Sequence, residues 1–180
     1  ITILFADIRG FTSYSEQRSP EELVAVLNRY LAAAAEAVLD QGGTIDKFMG
    51  DAVMAWFNAP VPQTDHTLRA VRTALSIREA IEKLHAEFPP EAHLSFGVGI
   101  HFGEVVLGLI GTEKRLEYTA IGDSVNTTKR IQENSNRNQI LISEEAYQRV
   151  KKNVYVNKMD TLTVKGKRNQ ITVYEVLGLK

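Results

Sequence analysis

Residues 43–57, GTIDKFMGDAVMAWF, decide the fold of this chain. Two short apolar runs, GTIDKFMG and DAVMAWF, meet at Gly50 and read as strands. A turn that tight cannot hold a crossover, so the pair predicts an antiparallel hairpin and disfavours a doubly wound parallel sheet. The hairpin also carries Asp46, Lys47 and Asp51 at and beside its tip, among some of the most hydrophobic residues of the chain. Two readings suit those charges: a solvated turn with a local ion pair, or a site for metal and nucleotide.

Working upstream, Ile1 to Ile8 is a buried apolar strand interrupted near its end by Asp7. A helix follows over Pro20–Asp40, with Ser19 as N-cap, Pro20 at the first helical position and Glu22 three residues after the cap. Leu23, Val26, Leu27, Tyr30, Leu31, Ala34 and Val38 form its apolar stripe, and Gly42 and Gly43 stop it. Downstream, Asp65 is placed to cap a second amphipathic helix that runs to Glu87 and is ended by Pro89 and Pro90. LSFGVGIHFG and EVVLGLIG read as another hairpin, whose glycines predict bends and close backbone approach. EYTAIG is a short strand leading into a helix over 123–136, QILIS a strand, EEAYQRV a short helix, and VNKMDTLTVKGKRNQITVYEVL a β-ribbon with a basic turn. Strand, helix, hairpin, helix, hairpin describes an α+β layer with mainly antiparallel strands and helices packed on one face.

Composition narrows the function. The 180 residues, 44% of them hydrophobic, fit one domain with a real core. A formal net charge of −1 gives no electrostatic footprint for nucleic acid or an anionic membrane. With no cysteine there is neither a disulfide framework nor a thiolate metal site, which suits a reducing compartment. No apolar run approaches the roughly 20 residues of a membrane span, and no segment resembles a signal peptide. Because the chain starts without Met, already inside a strand, it reads as a domain of a longer protein.

The polar residues that break the pattern carry the chemistry. If the first strand and the hairpin are neighbours, Asp7 and Asp51 meet at one edge. Two carboxylates with solvent and phosphate oxygens suit Mg²⁺, and paired ions suit phosphoryl transfer. The alternative is that Asp7 caps a turn and Asp51 merely occupies one. RGFT, residues 9–12, offers a glycine and free N–H groups that can cradle phosphate, or a simple tight turn. Asn126 and Arg130 lie four apart in a predicted helix and share a face, from which Arg130 can reach charge developing on phosphorus; alone, it reads as a surface arginine. Lys165 and Lys167 are triphosphate contacts or the charged turn of an edge ribbon. None of the four histidines, His66, His85, His93 and His101, has zinc-ligand spacing, and no Ser–His–acid set is present.

FADIRGFT, DKFMGDAVMAWF, FGVGIHFGEVVLGLIG, EYTAIGDSVN with Arg130, and VKGK together resemble, in order and spacing, the class III nucleotidyl cyclase catalytic domain over essentially the whole chain. The resemblance implies a ferredoxin-like core with extra C-terminal αβ elements, working as a head-to-tail dimer with two interfacial sites. It implies two Mg²⁺ or Mn²⁺ ions and conversion of a nucleoside triphosphate to its 3′,5′-cyclic monophosphate. Asp7, Asp51 and the carbonyl of Ile8 match the metal ligands; Gly10, Phe11 and Thr12 match the phosphate cradle. Asn126 would orient the ribose, Arg130 would stabilise the transition state, and Lys165, or its rival Lys167, would hold the terminal phosphates. Lys47 and Thr119 match the purine-reading pair in a form that suits adenine, which favours ATP and cyclic AMP over the guanylyl alternative with Glu and Cys at these places. NTTKR departs from the more apolar NLAAR of many relatives, with the Asn and Arg positions kept. A full set of site residues in one chain predicts a homodimer, with no nucleic-acid or membrane contact by this domain. The resemblance also implies a cytoplasmic location and regulatory or anchoring segments elsewhere in the parent protein. Three other readings remain: a guanylyl cyclase, a catalytically silent nucleotide-binding or dimerisation module, and a two-metal polymerase or dinucleotide cyclase on a related core.

Overall fold

The computed structural model describes residues 1–162 and 170–180. The elements follow in the order β1 (Thr2–Arg9), α1 (Phe11–Ser15), α2 (Pro20–Asp40), β2 (Thr44–Met49), β3 (Ala52–Phe57) and α3 (His66–Glu87). They continue with β4 (Ser95–Phe102), β5 (Val106–Thr112), β6 (Arg115–Ile121), α4 (Asp123–Glu133), β7 (Ile140–Ser143), α5 (Glu144–Val150), β8 (Val154–Lys158) and β9 (Val173–Leu179). Seven strands form one sheet in the order β2-β3-β1-β4-β7-β9-β8, and β5 with β6 forms a separate ribbon. The first four sheet strands, in the order β2-β3-β1-β4 with α2 and α3 between them, give the expected ferredoxin-like core.

Residues 43–57 form the hairpin as expected, with Lys47 opposite Met54 and Met49 opposite Ala52. β3 then pairs antiparallel with β1, so that Asp7 faces Ala52 across the ladder. The α2 start is the predicted one: Ser19 accepts from the Glu22 amide at 3.3 Å, and the Glu22 carboxylate accepts from the Ser19 amide at 3.4 Å. Leu4, Ala6 and Ile8 of β1 and Val53, Ala55 and Phe57 of β3 bury the face that α2 and α3 cover. Burying each of the larger side chains among them contributes about 1.5–3 kcal/mol, which makes this layer the main source of stability.

Four expectations need correction. The strand LSFGVGIHFG does not pair with EVVLGLIG: both edges of β4 are occupied, by β1 and β7, and β5 turns back on β6 instead. The sheet is mainly antiparallel, as expected, with β4–β7 a parallel pair within it. The helices do not share one face. Ile140 and Ile142 point into the α2/α3 layer, whereas Leu141 packs with Ile131 of α4 on the opposite side. That helix also ends at Glu133, short of residue 136. Finally, Asp65 stands at the start of α3 without a side-chain cap bond, because its carboxylate accepts instead from Arg69 Nε at 2.6 Å.

The glycines of β4 explain how α4 lies so close. A Cβ on Gly97 would fall 2.5 Å from both Arg9 Nε and Ser135 Oγ, and one on Gly99 would overlap the backbone of Gln132. The predicted close backbone approach is therefore that of α4 on β4. Among the described residues, no helix is long and apolar enough to cross a membrane.

Candidate active site

The first cluster lies where β1 meets the β2–β3 turn. The Ile8 amide donates to the Asp51 carbonyl at 3.1 Å, which ties the turn to the end of β1. Asp7 points away from the α2/α3 layer, as Ile3 and Phe5 do, toward the side occupied by α4. Burial is the main cause that raises the Asp7 carboxyl above its ordinary value, and the negative charge of Asp51 adds to it. Arg9, 3.8 Å from the Asp7 carboxylate, opposes that rise and also donates to the Gln132 carbonyl of α4. Gly10 follows in the left-handed region, with φ 85°, and starts α1. The backbone conformation there demands glycine; a Cβ would also meet the Arg137 guanidinium, the far end of a flexible side chain that can move aside. Phe11 anchors α1 on the core, and Thr12 gives its carbonyl to the Ser15 hydroxyl at 2.6 Å.

The second cluster lies where β2 passes the β5–β6 ribbon. The register of β2 slips between Ile45 and Lys47, so Asp46 is the extra residue of a β-bulge. Neighbouring residues of a regular strand point to opposite faces, but this bulge lets Asp46 and Lys47 both address β6. Asp46 Oδ2 accepts from the Thr119 hydroxyl at 2.9 Å and lies 3.9 Å from Lys47 Nζ. Lys47 also donates to Glu117 at 2.9 Å, and Arg115 holds the other oxygen of Glu117 at 2.9 Å. The hydrogen bond to Glu117 is the main cause that raises the Lys47 ammonium above its ordinary value. The resemblance points to Lys47 and Thr119, whereas the sequence marks Asp46 without a role and Glu117 not at all, because the bulge that aims Asp46 at β6 leaves no mark in hydrophobic periodicity.

The third cluster is on α4. Asn126 and Arg130 fall in this helix, as the spacing predicts, with Asn126 exposed and Arg130 half-buried. Arg130 Nη1 is buried with no hydrogen-bond partner among the described residues. Asp7 senses Lys129 and Glu133 of the same helix, so the first and third clusters adjoin. Lys165 and Lys167 lie outside the described residues.

The model of the adenylate and guanylate cyclase catalytic domain family matches residues 1–178. This chain belongs to that family. It is 39% identical to adenylate cyclase 1 of Rhizobium meliloti strain 1021, an alignment covering 99% of this chain and 28% of that protein. The chain therefore spans little more than a quarter of that relative. Among solved structures it resembles the guanylyl cyclase Cya2, with a TM-score of 0.93, 40% identity, and coverage of 99% of this chain and 92% of that one. It also resembles the adenylyl cyclase CyaB from P. aeruginosa, with a TM-score of 0.91, 34% identity, and coverage of 99% and 94%.

Class III cyclase domains generally depend on divalent metal, and the first cluster fits such an ion. Its donors are hard carboxylate oxygens, and burial, with the neighbouring Asp51 charge adding to it, raises Asp7 in the way a bound cation would relieve. Among the described residues no group of three or more His, Cys, Asp or Glu is arranged to hold a metal. Two carboxylates suffice for Mg²⁺, which keeps water and substrate phosphates among its ligands.

Proposed function

We propose that this domain is an adenylyl cyclase, converting ATP to 3′,5′-cyclic AMP and pyrophosphate. The observation that carries the reading is the meeting of Lys47 and Thr119 at one carboxylate, Asp46, which sets a cation and a hydroxyl side by side. The lysine donates to a ring nitrogen of adenine, and the threonine oxygen accepts from the exocyclic amine. Asp7, Asp51 and the Ile8 carbonyl would hold two divalent ions. When bound there, Mg²⁺ or Mn²⁺ lowers the pKa of the 3′-hydroxyl and neutralises charge on the phosphates.

The chain's own groups do the positioning. The backbone of Gly10, Phe11 and Thr12 lies along the phosphates, and Asn126 orients the ribose. Arg130 brings a guanidinium nitrogen that has no partner among the described residues to the charge that develops at the α-phosphorus. The 3′-oxygen bonds to that phosphorus as the bond to the β-phosphate oxygen breaks, and pyrophosphate leaves in line. Lys165, with Lys167 as its rival, meets the terminal phosphates.

The site works at the interface of a homodimer. Supporting that reading is the apolar surface on the β5–β6 ribbon, where Leu109 is 64% and Leu116 52% exposed, with Phe48 exposed on the β2–β3 hairpin. The likeness to Cya2 favours a second reading, a guanylyl cyclase. Incubating the protein with ATP or GTP and Mn²⁺ across a range of protein concentrations tests all of this. Cyclic AMP is expected, with specific activity rising with concentration. Cyclic GMP alone overturns the substrate assignment, and tight binding of ATP analogues with no cyclic product overturns the enzyme.

A further inference from the structure

The cyclase reading leaves Asp46 without a task, yet its side chain is 1% exposed and sits between the two residues assigned to the base. Oδ2 takes the Thr119 proton at 2.9 Å, while Oδ1 is buried with no partner among the described residues. A half-satisfied buried carboxylate is costly, and a purely structural position has no reason to keep one. Burial raises the Asp46 carboxyl, whereas the Thr119 hydrogen bond and the Lys47 charge draw it back down.

An ionised carboxylate has no hydrogen to give, and a hydroxyl has only one. While Thr119 donates to Asp46, it therefore meets any third group through its lone pairs. Adenine presents an exocyclic amine, a donor; guanine presents a 6-oxo group at the same place, an acceptor. We propose that Asp46 is a positioning residue for substrate choice: by taking the Thr119 proton it fixes that hydroxyl as an acceptor, which admits a 6-amino purine and refuses a 6-oxo purine. The inference rests on the proposed placement of the base beside Lys47 and Thr119. The refusal follows because a 6-oxo group there would face another acceptor and lose its hydrogen bond.

The test compares kcat/KM for ATP and GTP in the homodimer. Asp46→Leu removes the acceptor altogether and frees the hydroxyl to donate. Asp46→Asn is nearly isosteric, and its amide oxygen can still accept from Thr119, so it loosens the direction of the hydroxyl without abolishing it. Asp46→Leu is expected to lower the ATP-to-GTP ratio by about tenfold, the worth of one net hydrogen bond, and Asp46→Asn by less. In a Thr119→Val background, Asp46→Leu should leave the ratio where Thr119→Val alone has put it. Displacement of a fluorescent nucleotide by 3′-deoxy-ATP and 3′-deoxy-GTP, neither of which can cyclise, should give the same pattern without turnover. Equal losses for both nucleotides, or a ratio that still moves when Thr119 is Val, would overturn the inference. Asp46→Ala, which also removes the acceptor, takes the place of Asp46→Leu if that variant does not fold. A wild-type enzyme that prefers GTP overturns the adenine assignment separately, since the dependence of the Asp46 effect on Thr119 is read from the four-variant cycle whichever nucleotide is favoured.

Discussion

Gly99→Ala is the substitution that most directly connects the sheet to the chemistry. A Cβ at this position would lie 2.7 Å from Gln132 Cα and closer still to its amide nitrogen, where ordinary contact begins at 3.4 Å. Backbone cannot swing aside as a side chain can, so α4 must retreat by about 1 Å from β4 to clear the Gln132 nitrogen at 2.4 Å, in a core whose overpacking costs about 1–3 kcal/mol. With a slope of about 1–3 kcal/mol per molar urea, the unfolding midpoint should fall by roughly 0.5–2 M. The same retreat moves Asn126 and Arg130, both on α4, while Lys47 and Thr119 stay on β2 and β6. A displacement approaching 1 Å costs up to about 10²-fold in a positioned reaction, so kcat should drop about 10- to 100-fold with the ATP KM little changed. Urea unfolding followed by circular dichroism and a cyclic-nucleotide assay at a fixed, dimer-saturating concentration read the two effects. Gly178→Ala, where a Cβ meets nothing within 4 Å, is the control. Should Gly99→Ala match the control in both midpoint and kcat, the claim that α4 rides on this glycine is wrong.

Other consequences are open to equally direct measurement. In the proposed head-to-tail dimer each site takes its metal carboxylates from one chain and Lys47 from the partner, so mixing Asp51→Ala chains with Lys47→Ala chains gathers both lesions in one site of the heterodimer and should restore activity toward half of one wild-type site's share; no recovery despite demonstrated subunit exchange contradicts that division. Glu117→Gln should release Lys47 from its 2.9 Å ion pair and lower the ATP KM by less than about fivefold, as befits an exposed pair, with kcat unchanged. His66 is buried against Thr2 and Arg149, and burial, aided by the Arg149 charge, lowers its pKa from 6.5 to about 4. The unfolded chain therefore binds the proton first. Stability is unaffected above pH 6.5, falls as pH drops below it, and has lost about 3 kcal/mol by pH 4 from this group alone. Urea titrations at pH 7, 5 and 4 should show a shallower acid loss in His66→Gln; parallel losses in the two proteins would count against the assignment.

Much of this architecture is legible in the sequence because local rules and tertiary packing agree. The Ser19–Pro20–Glu22 start of α2, the stop at Gly42 and Gly43, and the hairpin around Gly50 are all determined within a few residues. The pairing of β5 is not. The strands were both visible, but only the sheet as a whole reveals that β1 and β7 occupy the edges of β4 and leave β5 to find β6. The face chosen by α4 is hidden for a similar reason: it depends on Leu141 and Ile131 meeting across a layer. In the site, Asp7 and Asp51 could be brought together on paper because β1 and β3 are neighbours in an ordinary α+β core. Glu117 and Asp46 could not, since their partners are 70 and 73 residues away in the sequence.

The bulge at Asp46 shows how one additional residue changes what a strand can present. Ile45 opposite Ala55 keeps its place toward the α2/α3 layer, and Lys47 opposite Met54 keeps its place on the other side. That alternation would be satisfied with no residue between them. Asp46 thus replaces nothing in the ladder; it adds a carboxylate beside a lysine that would face β6 anyway. A regular strand at this edge could offer a cation alone, which attracts any nucleotide and distinguishes none. Adding the carboxylate gives Thr119 a fixed direction, and direction is what separates an amino from an oxo group. Charge at this hairpin therefore serves two separate ends: Asp51 at the turn, where β1 brings a second carboxylate, and Asp46 with Lys47 at the bulge, where β6 brings a hydroxyl.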